Sequence, residues 1–148
     1  MIANRDAVRE KIAQGYGDYL AVEMPGAQVY GYMKSGFGGN SPVVRVVSDG
    51  SLRPEFPAQG VRSQFYYVVQ HYVIYYQQGA PEVQAEAEDL LDQLEYHLYS
   101  WMVTNQQIPG FWTEIKFAER SRSSVVPVDS GAYYYILELI PLAVRVAG

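Results

Sequence analysis

The chain has 148 residues, of which 49% are hydrophobic and 18% charged, a balance that fits one folded domain, 1–148, with a real core and excludes a disordered tail. A net charge of −5 argues against nucleic-acid binding through a basic patch. With no cysteine and only His71 and His97, disulfides, thiolate metal sites and cysteine nucleophiles are excluded, and a zinc site is disfavoured.

The segment Arg5 to Gln14 predicts a short helix, with Asn4 as its N-cap, Val8 and Ile12 on one stripe, and Gly15 and Gly17 as its stop. Its opening residues are charged at once and lack an apolar signal core. No 18-residue apolar run occurs, so the expectation is a soluble protein of a reducing compartment. Pro25-Gly26 marks a turn before a strand over Gln28 to Met33. The loop from Ser35 to Pro42 follows, and its glycines lack the lysine and hydroxyl of a phosphate loop.

Pro42 to Ser48 predicts a strand, and Asp49 to Ser63 a long polar loop with Pro54 and Pro57. Phe65 to Gln77 is dense in aromatic and β-branched residues and gives the strongest strand signal. Pro81 to Val103 is the main helix. Proline suits its first position, and Val83, Ala87, Leu90, Leu91, Leu94, Leu98, Trp101 and Met102 repeat at three-to-four spacing. Phe111 to Arg120 and Ala132 to Val146 complete the strands, with Pro141 expected at a bulge or an edge. The order predicts an α+β domain: an antiparallel sheet of four to five strands, with one long helix and a short N-terminal helix packed on one face.

Candidate chemistry is sparse. No nucleophile elbow or HExxH pattern occurs, and an enzyme is not expected. His71 and His97 read as satisfied structural histidines. Glu82, Glu86, Glu88, Asp89, Asp92 and Glu95 crowd the main helix, and no lysine or arginine lies between Arg62 and Lys116. The helix dipole accounts for the first of these acids. The rest read as a solvated face, while an acidic stripe also suits repelling DNA or docking a basic partner.

Strand parity is more informative. Along Phe65–Gln77 one face is Phe65, Tyr67, Val69, His71, Val73 and Tyr75, and the other is Tyr66, Val68, Gln70, Tyr72, Ile74 and Tyr76. A sheet covered on one side should show a polar opposite face. Both faces here are apolar, and the 14 tyrosines suit contacts that are greasy with a polar tip. Self-association through Tyr66, Val68, Tyr72, Ile74 and Tyr76 is therefore expected. Arg45, Gln70, Glu114, Lys116 and Glu138 are expected to share one side of the sheet. Such a mixed patch suits a water-filled channel or intersubunit ion pairs.

A short N-terminal helix (NRDAVREKIAQ) leads to a Pro-Gly turn and short strand (PGAQVYGY), then PVVRVVSDGS and a polar loop before an aromatic strand. One long amphipathic helix (PEVQAEAEDLLDQLEYHLYSWM) and a closing YYYILELIPLAVRV complete the layout. Over nearly its whole length this resembles the tail terminator (tail completion) protein family of long-tailed bacteriophages. The resemblance implies a virion protein, made in the bacterial host cytoplasm, that forms a hexameric ring at the head-proximal end of the tail tube. Such a ring stops tube growth and offers the head-joining surface. Implied partners are further copies of itself, the major tail tube protein and a head-completion or neck protein. DNA would pass through the lumen unread, which an acidic wall suits. No catalysis, cofactor or metal is implied. A ring that caps a tube needs a reaching segment, expected in the polar loop with Arg53, Glu55 and Phe56 as its docking residues. Other neck or minor tail proteins share the layout, and the residues also admit a small-molecule-binding α+β domain with an aromatic pocket.

Overall fold

Val8, Ile12, Tyr16 and Leu20 recur at every fourth position and are all fully buried, so the first helix runs as far as that stripe. In the computed structural model, which describes residues 3–34, 36–37, 40–52, 62–75, 81–127 and 134–147, this helix, α1, spans Arg5–Glu23. The Asn4 side chain caps it by accepting from the Ala7 N–H at 2.8 Å. Gly15 and Gly17 do not stop it, contrary to expectation. A Cβ on Gly15 would lie 2.6 Å from the Trp101 ring, so glycine there admits the second helix rather than breaking the first.

The remaining elements are β1 (Gln28–Tyr30), β2 (Val43–Leu52), β3 (Arg62–Tyr75), α2 (Pro81–Thr104), β4 (Glu114–Phe117), β5 (Arg122–Pro127) and β6 (Tyr134–Ala147). The six strands form one sheet in the order β1-β2-β3-β6-β4, with β5 also on β6. All pairings are antiparallel except β1 with β2. The spine is the β3–β6 pair, in register from Arg62↔Ala147 to Tyr75↔Tyr134. The fold is the expected α+β class, with one strand more than foreseen.

Strand boundaries differ from the sequence reading by three or four residues at the end of β1 and β2, the start of β3 and both ends of β4, and two of these differences have a plain physical reason. Asp49-Gly50 does not end β2. The register slips by one residue between Ser48 and Ser51, with Gly50 at φ 99°, so the pair forms a bulge inside a longer strand. Phe111 and Trp112 belong to a turn closed by the Ile108–Trp112 bridge, and Trp112 is buried against Trp101 with centroids 6.1 Å apart. Its indole N–H donates to Asn105 O at 2.8 Å, tying that turn to the end of α2.

Pro141 lies at neither a bulge nor an outer edge. It pairs with Val68 in the spine, at the point where the second neighbour of β6 changes from β5 to β4. Its carbonyl accepts from the Ala118 N–H at 3.0 Å, and in a strand N–H and C=O point to the same side. The missing donor therefore faces the gap between two strands and breaks no ladder bond.

Both helices lie on one face of the sheet. The main core joins Val8, Ile12, Tyr16 and Leu20 of α1 and Leu91, Leu94, Leu98 and Trp101 of α2 to Val44, Val46, Tyr67, Val69, Ile140, Leu142 and Val144. Among the described residues no helix covers the other face. That outer face carries a second, smaller cluster of Val43, Tyr72, Tyr135 and Leu137.

Candidate functional site

The outer face is organised by Arg45. Register places Arg45 beside Gln70, Gln70 beside Leu139, and Val43 beside Tyr72. The Arg45 guanidinium donates to Gln70 Oε1 (2.8 Å), Tyr72 Oη (2.8 Å) and the Lys34 carbonyl (3.0 Å). It also lies 5.3 Å from the Tyr72 ring centroid and 5.9 Å from that of Phe37. Tyr72 completes the triangle by donating to Gln70 Oε1 at 3.1 Å. Burial pushes the Tyr72 hydroxyl up, against the opposing pull of Arg45.

Phe37, Tyr72 and Tyr135 meet edge to face, with centroids 4.8–6.0 Å apart, and Tyr135 donates to the Asn40 carbonyl at 2.9 Å. The segment before β2 thus folds back over part of the outer face. Tyr72, whose face is expected at a subunit contact, is only 7% exposed because Phe37 and Tyr135 of its own chain pack on it. Tyr66, Val68 and Ile74 share that face and are half-buried, and Tyr66 accepts from the Gln64 amide at 2.8 Å. An open groove of about 390 Å³ runs beside Tyr66, Pro141 and Ala118. Tyr76 lies outside the described residues, as do Arg53, Glu55 and Phe56.

Of the expected polar patch, the structure brings four residues to the outer side. Arg45 and Gln70 touch directly, while Glu114 and Lys116 stand on β4, where Glu114 lies 3.6 Å from both Lys116 and Arg145. Glu138 is the exception. It pairs across the strands with His71, and His71 pairs with Val44, so all three point to the helix side. Alternation within β6 put Glu138 opposite Leu137 and Leu139, but which side faces the helices depends on register with β3.

On that inner side sits a buried polar group of residues. Tyr16 gives its proton to the Leu94 carbonyl at 2.8 Å, so at 3.0 Å its oxygen accepts from Nε2 of His71. This fixes the imidazole proton on Nε2 and leaves the buried Nδ1 without a partner. Burial holds His71 neutral, lowering its pKa from 6.5 to about 3. Glu138, 8% exposed, accepts from Ser121 at 3.1 Å through one oxygen, and its other oxygen has no partner. Burial first, then the nearby Glu95 and Asp92 carboxylates, push its pKa up to about 7. His97 rests between the Tyr19 and Tyr96 rings, 5.8 and 5.7 Å away.

Sequence reasoning missed Phe37, Tyr16 and Ser121. Phe37 carried a signal, being a lone aromatic in a run of glycine, serine and asparagine. Tyr16 also carried one, four residues beyond Ile12 on the helix stripe. Ser121 carried none. The described residues hold no cluster of three or more His, Cys, Asp or Glu able to bind a metal ion. Among the described residues no helix is long and apolar enough to cross a membrane.

No family model matches the chain, and no curated protein matches it. Among solved structures the chain is similar to one described as the virion of a native gene transfer agent particle. The identity is 15% and the TM-score 0.49, over 97% of this chain and 95% of that one. At that level the likeness assigns no residue role and no function to this chain.

Proposed function

We propose that this chain is a structural virion assembly protein that forms a ring at the head-proximal end of a phage tail tube, where it stops tube growth and presents the head-joining surface. The observation that carries the reading is the two-sided sheet. Its inner face is filled by α1 and α2, while the outer face keeps half-buried Tyr66, Val68, Ile74 and Leu139 beside Arg45, Lys116 and Arg145, with no helix over them among the described residues. An apolar face rimmed by charge is the composition of a protein contact. The resemblance of the chain's layout to tail terminators supplies the particular role. In this reading the ring meets the major tail tube protein on one side and a head-completion or neck protein on the other, and DNA crosses its acidic lumen unread.

The test uses the purified full chain. Negative-stain imaging and native mass measurement should show closed rings of one stoichiometry, and adding the protein to polymerising tail tube subunits should halt elongation. A chain that stays monomeric at every concentration, with tubes growing unchecked, overturns the reading.

A further inference from the structure

Helix α2 carries two stripes. One is buried in the core. The other consists of Ala85, Asp89, Asp92, Tyr96, Tyr99 and Val103, spaced four and three residues apart in alternation, and every member is exposed. Tyr96, Tyr99 and Val103 are 67%, 55% and 51% exposed, an apolar patch on the last two turns. Tyr99 is held in place by stacking on Phe117 at 6.2 Å. The first half of the stripe is acidic, with Glu88 flanking it, and α2 contains no lysine or arginine. An amphipathic helix with such a second face requires a partner that is apolar at one end and basic at the other.

The same molecule offers that surface on its opposite side. Arg145 and Lys116 point outward from β6 and β4. Arg122 points the same way, since it pairs with Leu139, which pairs with Gln70. Arg120 is exposed in the turn between β4 and β5. Among the described acids nearby, Glu114 is shared between Lys116 and Arg145, and Asp49 and Glu119 line the groove beside Pro141, so the cations outnumber them. The half-buried Leu139 and Pro141 lie next to them.

We infer that the exposed Asp89–Val103 stripe of α2 docks on the outer β4–β5–β6 face of a second copy of this chain, acids against Lys116 and Arg122 and tyrosines against the apolar strip. The inference rests on the ring reading above and names its contact. The charges decide the symmetry. A two-fold contact of α2 with α2 would set acid against acid. The complementary surfaces lie on opposite sides of a two-layer molecule, so they cannot both be used within one symmetric pair. The contact is therefore head to tail, the kind that generates rings when the rotation closes.

The test is charge reversal in the full chain, read by sedimentation and light scattering, with circular dichroism as the check on folding. Asp89→Lys/Asp92→Lys and Lys116→Glu/Arg122→Glu should each weaken wild-type assembly at least tenfold. Carrying all four substitutions in one chain should restore it. Mixing the two double variants should restore assembly as alternating copies, because every contact then sets an acidic surface of one variant against a basic surface of the other. Wild-type assembly should also weaken as salt rises. If wild-type rings form and neither reversal disturbs them, or if the combined variant stays monomeric, this contact is wrong while the ring reading stands. If the wild type never assembles, both fall.

Discussion

Replacing Glu138 by Gln should make the protein more stable at pH 8 and leave it nearly unchanged at pH 4.5. The raised pKa of Glu138 means that the folded state holds a proton the unfolded chain has released between pH 4.5 and about 7. Folded-state protonation adds stability that declines as pH rises through that window and is gone above it. The span from 4.5 to about 7 sets a ceiling of about 3 kcal/mol, at about 1.4 kcal/mol per pH unit. Water screening of Glu95 and Asp92 brings the expected figure to about 2–3 kcal/mol. His71 acts with the opposite sign. Its pKa falls from 6.5 unfolded to about 3 folded, so its contribution is lost as pH drops through that interval. From pH 4.5 to 6.5 the two slopes oppose each other, so the wild-type curve alone does not separate them. The difference between variant and wild type removes His71 from the comparison. Gln keeps the acceptor for Ser121 and never ionises. Urea unfolding at pH 4.5, 6, 7 and 8, at dilutions where sedimentation reports monomer, gives that difference directly. A difference that does not change with pH refutes the buried, proton-holding carboxyl.

Leu94→Ala should cost about 2–5 kcal/mol in denaturant unfolding, because Leu94 is fully buried between α1 and the sheet; a loss near zero would mean that the core is loosely packed there. Gly17→Ala should gain up to about 1 kcal/mol of helix propensity, since its Cβ would meet Val29 at 3.4 Å, an ordinary contact. Gly15→Ala has the same propensity gain but drives a Cβ to 2.6 Å from Trp101, so thermal or urea unfolding should place it about 1–3 kcal/mol below Gly17→Ala. Equal stabilities for the two would show that Trp101 moves freely.

The long elements were legible because their signals are periodic. The apolar stripe of α2 and the aromatic run of β3 each exceed a dozen residues, and both fell within three residues of their observed bounds. Punctuation misled where tertiary packing overrides it. Gly15 and Gly17 have the look of a helix stop, but the stripe continues to Tyr16 and Leu20, and glycine serves the approach of Trp101. Asp49-Gly50 has the look of a loop opening and is a bulge. β5 was missed because RSSVVP is short, polar at its start and ended by proline, so only its pairing with β6 makes it a strand.

The candidate surface was half legible for a related reason. Alternation within a strand is written in the sequence, but the relation between strands is not. The two faces of β3 were therefore separable, and Tyr66, Val68, Tyr72 and Ile74 do share one. Which of them stays open depends on the segment carrying Phe37, which covers Tyr72 and leaves Tyr66 half-buried. Glu138 shows the same limit from the polar side. Leu137 and Leu139 flank it, so hydropathy alone would send the one carboxyl outward, to join Arg45 and Lys116. Register instead sets it beside His71 under α2, where Ser121 binds one oxygen and a raised pKa lets the group stay protonated near neutral pH. A carboxyl that can hold its proton there avoids the cost of a buried charge, so the inward placement is physically available to a residue whose sequence context points outward.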